Sequence, residues 1–557
     1  MNFTKTSIFG IMSVAKIVKR FSLVTFPLLF FLTASVYGQS VTRGPYLQKV
    51  SDSSIHVLWS TDSLTDSYVF FGTVPASPTQ VRFTSSDTNR HNVLIDSLIP
   101  NTTYYYAVGS QSGVFDSAVH FHFQTAPAIG SEEALRFWVT GDFGKGNTEQ
   151  LDVLAAYNNY AGSNIANCWL WLGDNAYEDG TESDYQANVF DRYDSLMAYT
   201  PFFSTPGNHD YRSVSGAYVS HHSTHTGPYY DIVDVPISAE LGGYPSSTEA
   251  YYSFNYGNAH FVSLNSEVQS TGSVNSDMEA WLHQDLSSDT SLWKIVFTHQ
   301  PPYSKGSYDS DLSWELVIRG IRENYLPIFD QHDVDLILTG HSHAYERSLL
   351  IKEHYDVSTT LLPAMIVDGG SGDPNLGETY VKYTDSACAE GGAVYCIMGN
   401  SGSKTGFGND KGLNHPVMHF SEAENSVGSL VLDIHGDTLL GTYLRETGAI
   451  PDKFRILKSA CPTDIEVVEP GSFLFKPYND YGKGEISVRI DISNRCNLAM
   501  KLYDMNGEKV YTHDFGTLPE GKHFHSLNTS SFSTGMYLMV FSNGNRSISK
   551  KVFKLNF

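Results

Sequence analysis

The hydrophobic pattern of this chain changes period twice, and the changes divide it. From Val41 to about residue 127, short runs alternate apolar and polar positions: SSIHVLWST (53–61), SYVFFGT (67–73) and TYYYAVGS (103–110). Ser, Asp, Pro and Gly punctuate these runs, so each is predicted as a strand of a β-sandwich with Trp59 in its core. From about residue 133 the strands become continuous apolar runs: ALRFWVTGD (134–142), NCWLWLGD (167–174), WKIVFTHQ (293–300) and DVDLILTGHSH (333–343). Helical patterns fall between them, at 147–160, 183–199 and 313–331. In the first, Asn147 and Gln150 suit an N-terminal capping pair, with Leu151, Leu154 and Ala155 as the apolar stripe. Strands alternating with helices predict an α/β layered core, a central β-sandwich with flanking helices. From about residue 465, alternation returns and Asn506–Gly507 signals a hairpin, so a second, smaller β-sandwich is expected. The reading is multi-domain: a leader at 1–38, a sandwich at 41–127, an α/β core at 133–446 and a small sandwich at 465–557.

The first 38 residues read as an export signal. Lys16, Lys19 and Arg20 precede the apolar VTFPLLFFLTA (24–34), and small residues at Val36 and Gly38 place Gln39 at the start of the mature chain. That apolar run is too short to span a bilayer, and no transmembrane segment is expected after signal removal. The formal net charge of −24 disfavours nucleic acid as a partner, because little here would neutralise phosphates along a strand. Export permits disulfides. Of the five cysteines, Cys388 with Cys396 and Cys461 with Cys496 are the pairs expected, and Cys168 is expected as a buried thiol.

The chemistry lies where the apolar runs stop. The runs end in GDFG with Asp142, GDNAY with Asp174 and Tyr177, GNHD with Asn208 and His209, FTH with His299, and GHSH with His341 and His343. Ligands of open α/β sheets gather beyond the carboxyl ends of the strands. Five tips of this kind bring carboxylates, an amide, a phenol and imidazoles to one edge. A carboxylate can bridge two cations, imidazole suits Zn and Fe, and a phenolate with carboxylates suits Fe(III). Two cations about 3.5–4 Å apart can clamp a phosphate.

In this order, the tips resemble those of the purple acid phosphatases, within the calcineurin-like metallophosphoesterases. The resemblance spans roughly residues 41–446 and includes RGPYLQ (43–48) and GHSHAYER (340–347). LIPNTTYYYAV, from Leu98, resembles the signature of fibronectin type III domains, as the family's plant and bacterial leaders do. The resemblance implies that Asp142, Tyr177 and His343 bind Fe(3+). Asn208, His299 and His341 would bind Fe(2+), Zn(2+) or Mn(2+), with Asp174 bridging both ions. His209 would contact phosphate and assist the leaving group, with Asp210 orienting its ring. The implied reaction is attack of a metal-bound hydroxide on a phosphomonoester. Phosphodiester or nucleotide hydrolysis at the same site is the alternative, and an inert surface-binding protein is a further one.

One departure stands out. Relatives carry a second substrate-side histidine after an HQPPY-like motif, whereas HQPPYSKGSYDSD has none through Asp311; Lys305 and Tyr308 are the candidates to replace it. SHHSTH, with His221, His222 and His225, reads as a solvated loop because no strand tip carries it. Glu346 and Arg347 read as an ion pair beneath the site. The final 75 residues, with STGMYLM and the basic strand near Lys550 and Lys551, resemble the type IX secretion C-terminal sorting domain. That implies the secretion machinery as a partner, and a secreted or surface location.

Overall fold

The computed structural model describes residues 39–118, 121–212, 225–269, 275–385, 388–403, 415–422, 425–461, 473–480, 485–504, 507–533 and 535–554. The leader, His221, His222 and Asn506 lie outside the described residues.

The first sandwich is built on β1 (Val41–Gln48), β2 (Ile55–Gly72), β3 (Gln80–Ile95), β4 (Thr103–Ser110), β5 (Gly113–Asp116) and β6 (His122–Gln124). The two runs expected as separate strands are one strand, β2. Its pairing with β3 slips between Ser60 and Thr65, where exposed polar residues interrupt the alternation. A slip of this kind bends a strand without ending it. Trp59 is buried, its indole stacked on His91 at 4.6 Å. The phenol of Tyr104 accepts a hydrogen bond from the Ile99 N–H at 3.0 Å, tying the LIPNTTY turn to the strand it opens.

The central region holds two seven-stranded sheets. In the first, β7 (Leu135–Thr140), β8 (Cys168–Trp171) and β9 (Phe202–Ser204) run parallel, and four further strands extend it from the β7 side. In the second, β10 (Tyr252–Tyr256) precedes β11 (Ala259–Leu264), β12 (Trp293–Thr298) and β13 (Leu336–Thr339), which run parallel with Val394–Met398. Strands buried on both faces need no alternation, hence the continuous apolar runs. The sheets pack through contacts such as Phe137 on Phe261, ring centres 4.7 Å apart.

Helix α1 (Thr148–Ala161) starts as expected, with Asn147 Oδ1 accepting from the Gln150 N–H at 3.1 Å. Its buried face is only partly the expected one: Leu154 packs against the core from its edge. Val153, Ala156 and Tyr157 are buried and Ala155 is exposed, because the helix phase is set by Tyr157 stacking on Trp138 at 4.4 Å. The pattern at 313–331 gives two helices, Leu316–Asn324 and Leu326–Gln331, with Pro327 in the first turn of the second, where its missing N–H matters least.

The disulfide expectation needs correction. Cys388 bonds Cys461, 73 residues on, while Cys396 and Cys496 are free. Cys396 lies inside the buried strand Val394–Met398, out of reach of a loop partner. Cys168 is a buried thiol. The last sandwich joins a three-stranded sheet (Phe473–Asp480, Glu485–Ile492, Gly521–Asn528) to a four-stranded one (Lys509–Leu518, Cys496–Tyr503, Gly535–Ser542, Ser547–Lys554). Among the described residues, no helix is long and apolar enough to cross a membrane.

Candidate metal centre

The parallel strands of both central sheets point their carboxyl ends at one edge. Turns there aim the side chains. Asp142, Asp174 and His341 each sit in the left-handed region, at φ of 56°, 50° and 64°. Neighbouring glycines permit the approach: a Cβ at Gly173 would lie 2.5 Å from His299 Nδ1, and one at Gly340 would lie 2.6 Å from Asp142 Oδ2.

Seven predicted residues come together. The Tyr177 hydroxyl lies 2.9 Å from Asp142 Oδ1, 3.0 Å from Asp174 Oδ2 and 3.2 Å from His343 Nε2. Asn208 Oδ1 lies 3.2 Å from His299 Nε2 and 3.0 Å from His341 Nδ1. Asp174 Oδ1 approaches His299 Nε2 at 3.4 Å, so its two oxygens face the two groups of donors. The donor atoms of Asp174, His299 and His341 all lie within 4.8 Å of one another, a spacing one cation can occupy.

The donor chemistry fits cations. A phenol has one proton, yet Tyr177 faces two carboxylates and an imidazole. Burial, then Asp142 and Asp174, push its pKa well above the ordinary value of 10. Asp174 stays ionised: burial opposes this, but His299 and His209 hold it well below the usual carboxylate range. His299 is raised by Asp174 against the burial that lowers it, whereas burial and then His299 keep His341 low. Buried lone pairs facing one another at 3 Å are unfavourable unless positive charge lies between them.

Backbone carbonyls set the tautomers. His299 Nδ1 donates to Leu172 O at 2.8 Å, which leaves Nε2 as the lone-pair nitrogen. His209 Nδ1 donates to Glu178 O at 2.6 Å, and its Nε2 lies 3.8 Å from Asp174 Oδ2. This corrects the role expected for Asp210, which does not orient that ring. Its carboxylate accepts from the N–H groups of Asn175 (3.1 Å) and Gly207 (2.8 Å) and from the Tyr185 hydroxyl (2.6 Å). It pins together the turns carrying Asp174 and Asn208. Burial and Asp174 raise its pKa to about 7.

Two further expectations shift. Arg347 pairs with Asp452 (2.7 Å), not with Glu346, whose carboxylate accepts from Ser304 Oγ. Adjacent residues of a strand point to opposite faces, which separates the two. Lys305 is engaged by Asp309 and Asp311 (2.9 Å to the latter), so it is not poised over the donors. Tyr308 does reach the centre, its ring stacked on His341 at 4.0 Å. His225 lies apart, with Nδ1 3.0 Å from Thr248 Oγ1. Sequence reasoning passed over Lys145, whose Nζ sits 3.3 Å from the centre of the Tyr177 ring; its one signal is its place in GDFGKG, three residues after the donor Asp142.

Residues 135–345 match the calcineurin-like phosphoesterase family, 45–125 the purple acid phosphatase N-terminal domain, and 483–554 the secretion system C-terminal sorting domain. A phosphoenolpyruvate phosphatase from Allium cepa is 28% identical over 311 residues, 51% of this chain and 57% of its own length. Purple acid phosphatase 18 of Arabidopsis thaliana is 26% identical over 361 residues, 60% of this chain and 72% of its own. The chain thus spans little more than half of the first relative and nearly three quarters of the second. The fold matches purple acid phosphatase PPD1 from yellow lupin (Lupinus luteus) seeds, with a TM-score of 0.56 at 16% identity over 76% of this chain and 78% of that one. The sorting domain points to export, to the cell surface or beyond. The purple acid phosphatase family depends on two metal ions, and this chain carries a calcineurin-like phosphoesterase domain together with a purple acid phosphatase N-terminal domain and is similar to the purple acid phosphatases in sequence and in fold.

Proposed function

We propose that this protein is a secreted binuclear-metal acid phosphatase acting on phosphomonoesters. Asp142, Tyr177 and His343 would hold Fe(3+). Asn208, His299 and His341 would hold Fe(2+), Zn(2+) or Mn(2+), and Asp174 would bridge the two. The observation carrying this reading is the phenol of Tyr177 set between two carboxylates and an imidazole with one proton to share. Such a group is better accommodated as a phenolate on a hard trivalent ion. When bound, the two ions supply a clamp for phosphate oxygens and a means of ionising water near neutral pH.

The chain's own residues supply the rest. His209, fixed through Nδ1 by Glu178 O, presents Nε2 on the Asp174 side, where the imidazolium, protonated on both nitrogens, would give its Nε2 proton to the departing alkoxide oxygen and return to the neutral ring. Ser307 Oγ accepts from the His343 N–H at 2.8 Å and steadies that loop. Tyr308 covers His341 and shields one side of the site. The name of the onion relative, a phosphoenolpyruvate phosphatase, favours a monoester over a diester. The export segment and sorting domain favour release or surface attachment through the type IX machinery.

The test is hydrolysis of an aryl phosphate by the mature protein, alongside an aryl diester, with metal analysis and a visible spectrum. Two metal equivalents, a phenolate-to-iron band and faster turnover of the monoester are expected, with turnover and one metal equivalent lost in His299→Ala. A protein with fewer than two equivalents overturns the proposal; faster turnover of the diester moves the substrate class.

A further inference from the structure

Resting on the reading above, we infer that Lys145 is the substrate-side cation of this site, binding the phosphate dianion where the histidine after HQPPY is missing.

The backbone around Lys145 leaves it little freedom. A Cβ at Gly144 would lie 1.9 Å from Asn175 O, so that residue must be glycine for the chain to pass the Asp174 turn. Gly146, at φ of 69°, turns the chain away on the other side. Lys145 is thereby fixed beside the turn that carries Asp174 and Tyr177, and the Tyr177 N–H donates to Gly144 O at 2.8 Å. Its ammonium rests 3.3 Å from the centre of the Tyr177 ring, and the same ring packs on His209 at 4.4 Å. Lys145 and His209 therefore border one aromatic ring at the rim of the donor cluster.

The charge on Lys145 is only weakly matched. Its acidic neighbour, Glu178, is 3.8 Å away and its carboxylate is 71% exposed, whereas the lysine side chain is 19% exposed. A solvated partner at that distance screens little. Lys305, the other basic candidate near the site, is held by two aspartates. A phosphomonoester dianion arriving beside His209 meets a half-buried ammonium on a long, flexible stem, able to leave the ring and reach a phosphate oxygen. A diester, with one charge fewer, gains less from that contact.

Lys145→Ala and Lys145→Arg test this in the full mature chain. Inorganic phosphate is titrated calorimetrically into samples of measured metal content, and KM and kcat are taken for an aryl monoester and an aryl diester. Removing one charge-assisted contact should raise the phosphate Kd and the monoester KM roughly tenfold. The diester KM should move less, metal content should hold at two equivalents, and Lys145→Arg should restore phosphate binding. An unchanged phosphate Kd in Lys145→Ala overturns the inference. So does a loss that merely follows lost metal and is not restored by arginine, which would mean that the lysine only supports the tyrosine ring. A wild-type protein that binds no phosphate sinks the phosphatase reading as well. Wild-type binding matched by Lys145→Ala removes Lys145 alone.

Discussion

The turns at the metal centre and the turns of the C-terminal sandwich meet the same steric demand with different residues. In the sandwich, the described residues with left-handed backbone are all glycines: Gly507, Gly516, Gly521, Gly535 and Gly544. No Cβ is present to resist, and in each case the space where one would point is open. At the metal centre, glycines such as Gly173 are joined in the left-handed region by Asp142, Asp174 and His341. Left-handed backbone costs an L-residue about 1–2 kcal/mol, and here it is accepted at three residues whose side chains are the donors. A hairpin can be closed by any chain that turns. A donor must turn and also carry a functional group, so glycine cannot stand in for it.

The sharpest break of this contrast is Asp174→Ala. It removes the oxygen pair facing both donor groups, and kcat/KM for an aryl phosphate should fall by at least about 10³-fold with loss of bound metal. Substitutions confined to the last sandwich should leave both untouched. Next in size is a matched pair of glycine changes. Gly340→Ala drives a methyl against Asp142 Oδ2 and should lower kcat on the order of 10²-fold, the scale of a 1 Å misplacement. Gly507→Ala meets nothing within 4 Å and strains only φ; about 1 kcal/mol of local stability should go, with activity unchanged.

Chelation separates the regions thermodynamically. Stripping metal held at a hundredfold excess over Kd should withdraw about 2.7 kcal/mol per site from the central region, read as a lower Tm. Hydrogen exchange in the strand Gly521–Asn528 should not change. The smallest effect is acid sensitivity of the sandwich. Burial and the neighbouring His513 hold the His525 pKa below its ordinary 6.5, which favours the neutral ring in the folded state. The stability this contributes is complete above pH 6.5 and fades as pH falls through the lower folded value. Exchange in that strand should therefore quicken as pH drops from 7.5 to 5, after correction for intrinsic rates, and His525→Gln should flatten the trend.

The sequence revealed the donors because each follows an apolar run and a small residue, a pattern that survives without coordinates. WLWLGD locates a strand, its end and Asp174 at once. Partners remote in sequence were not legible. Glu346 and Arg347 are neighbours in the chain but occupy opposite faces of a strand, and Arg347 finds Asp452, 105 residues away. Cys388 finds Cys461 for a similar reason, since sheet order and not spacing brings the two together. The helical stripe of α1 was partly misphased because Tyr157, stacked on a tryptophan of the sheet, sets its rotation. His209 is oriented by Glu178 O, and a backbone carbonyl leaves no mark on a sequence.

By itself, then, the sequence determined the three layers of pattern, the strand ends and the identity of the side chains placed there, because periodicity and turn chemistry are local properties. Only the tertiary structure decided which imidazole nitrogen faces the centre, which carboxylate serves as a clamp between turns and that Lys145 lies on the tyrosine ring. Those outcomes depend on contacts a few ångströms long between segments far apart in the chain, and such contacts exist only once the two sheets have packed.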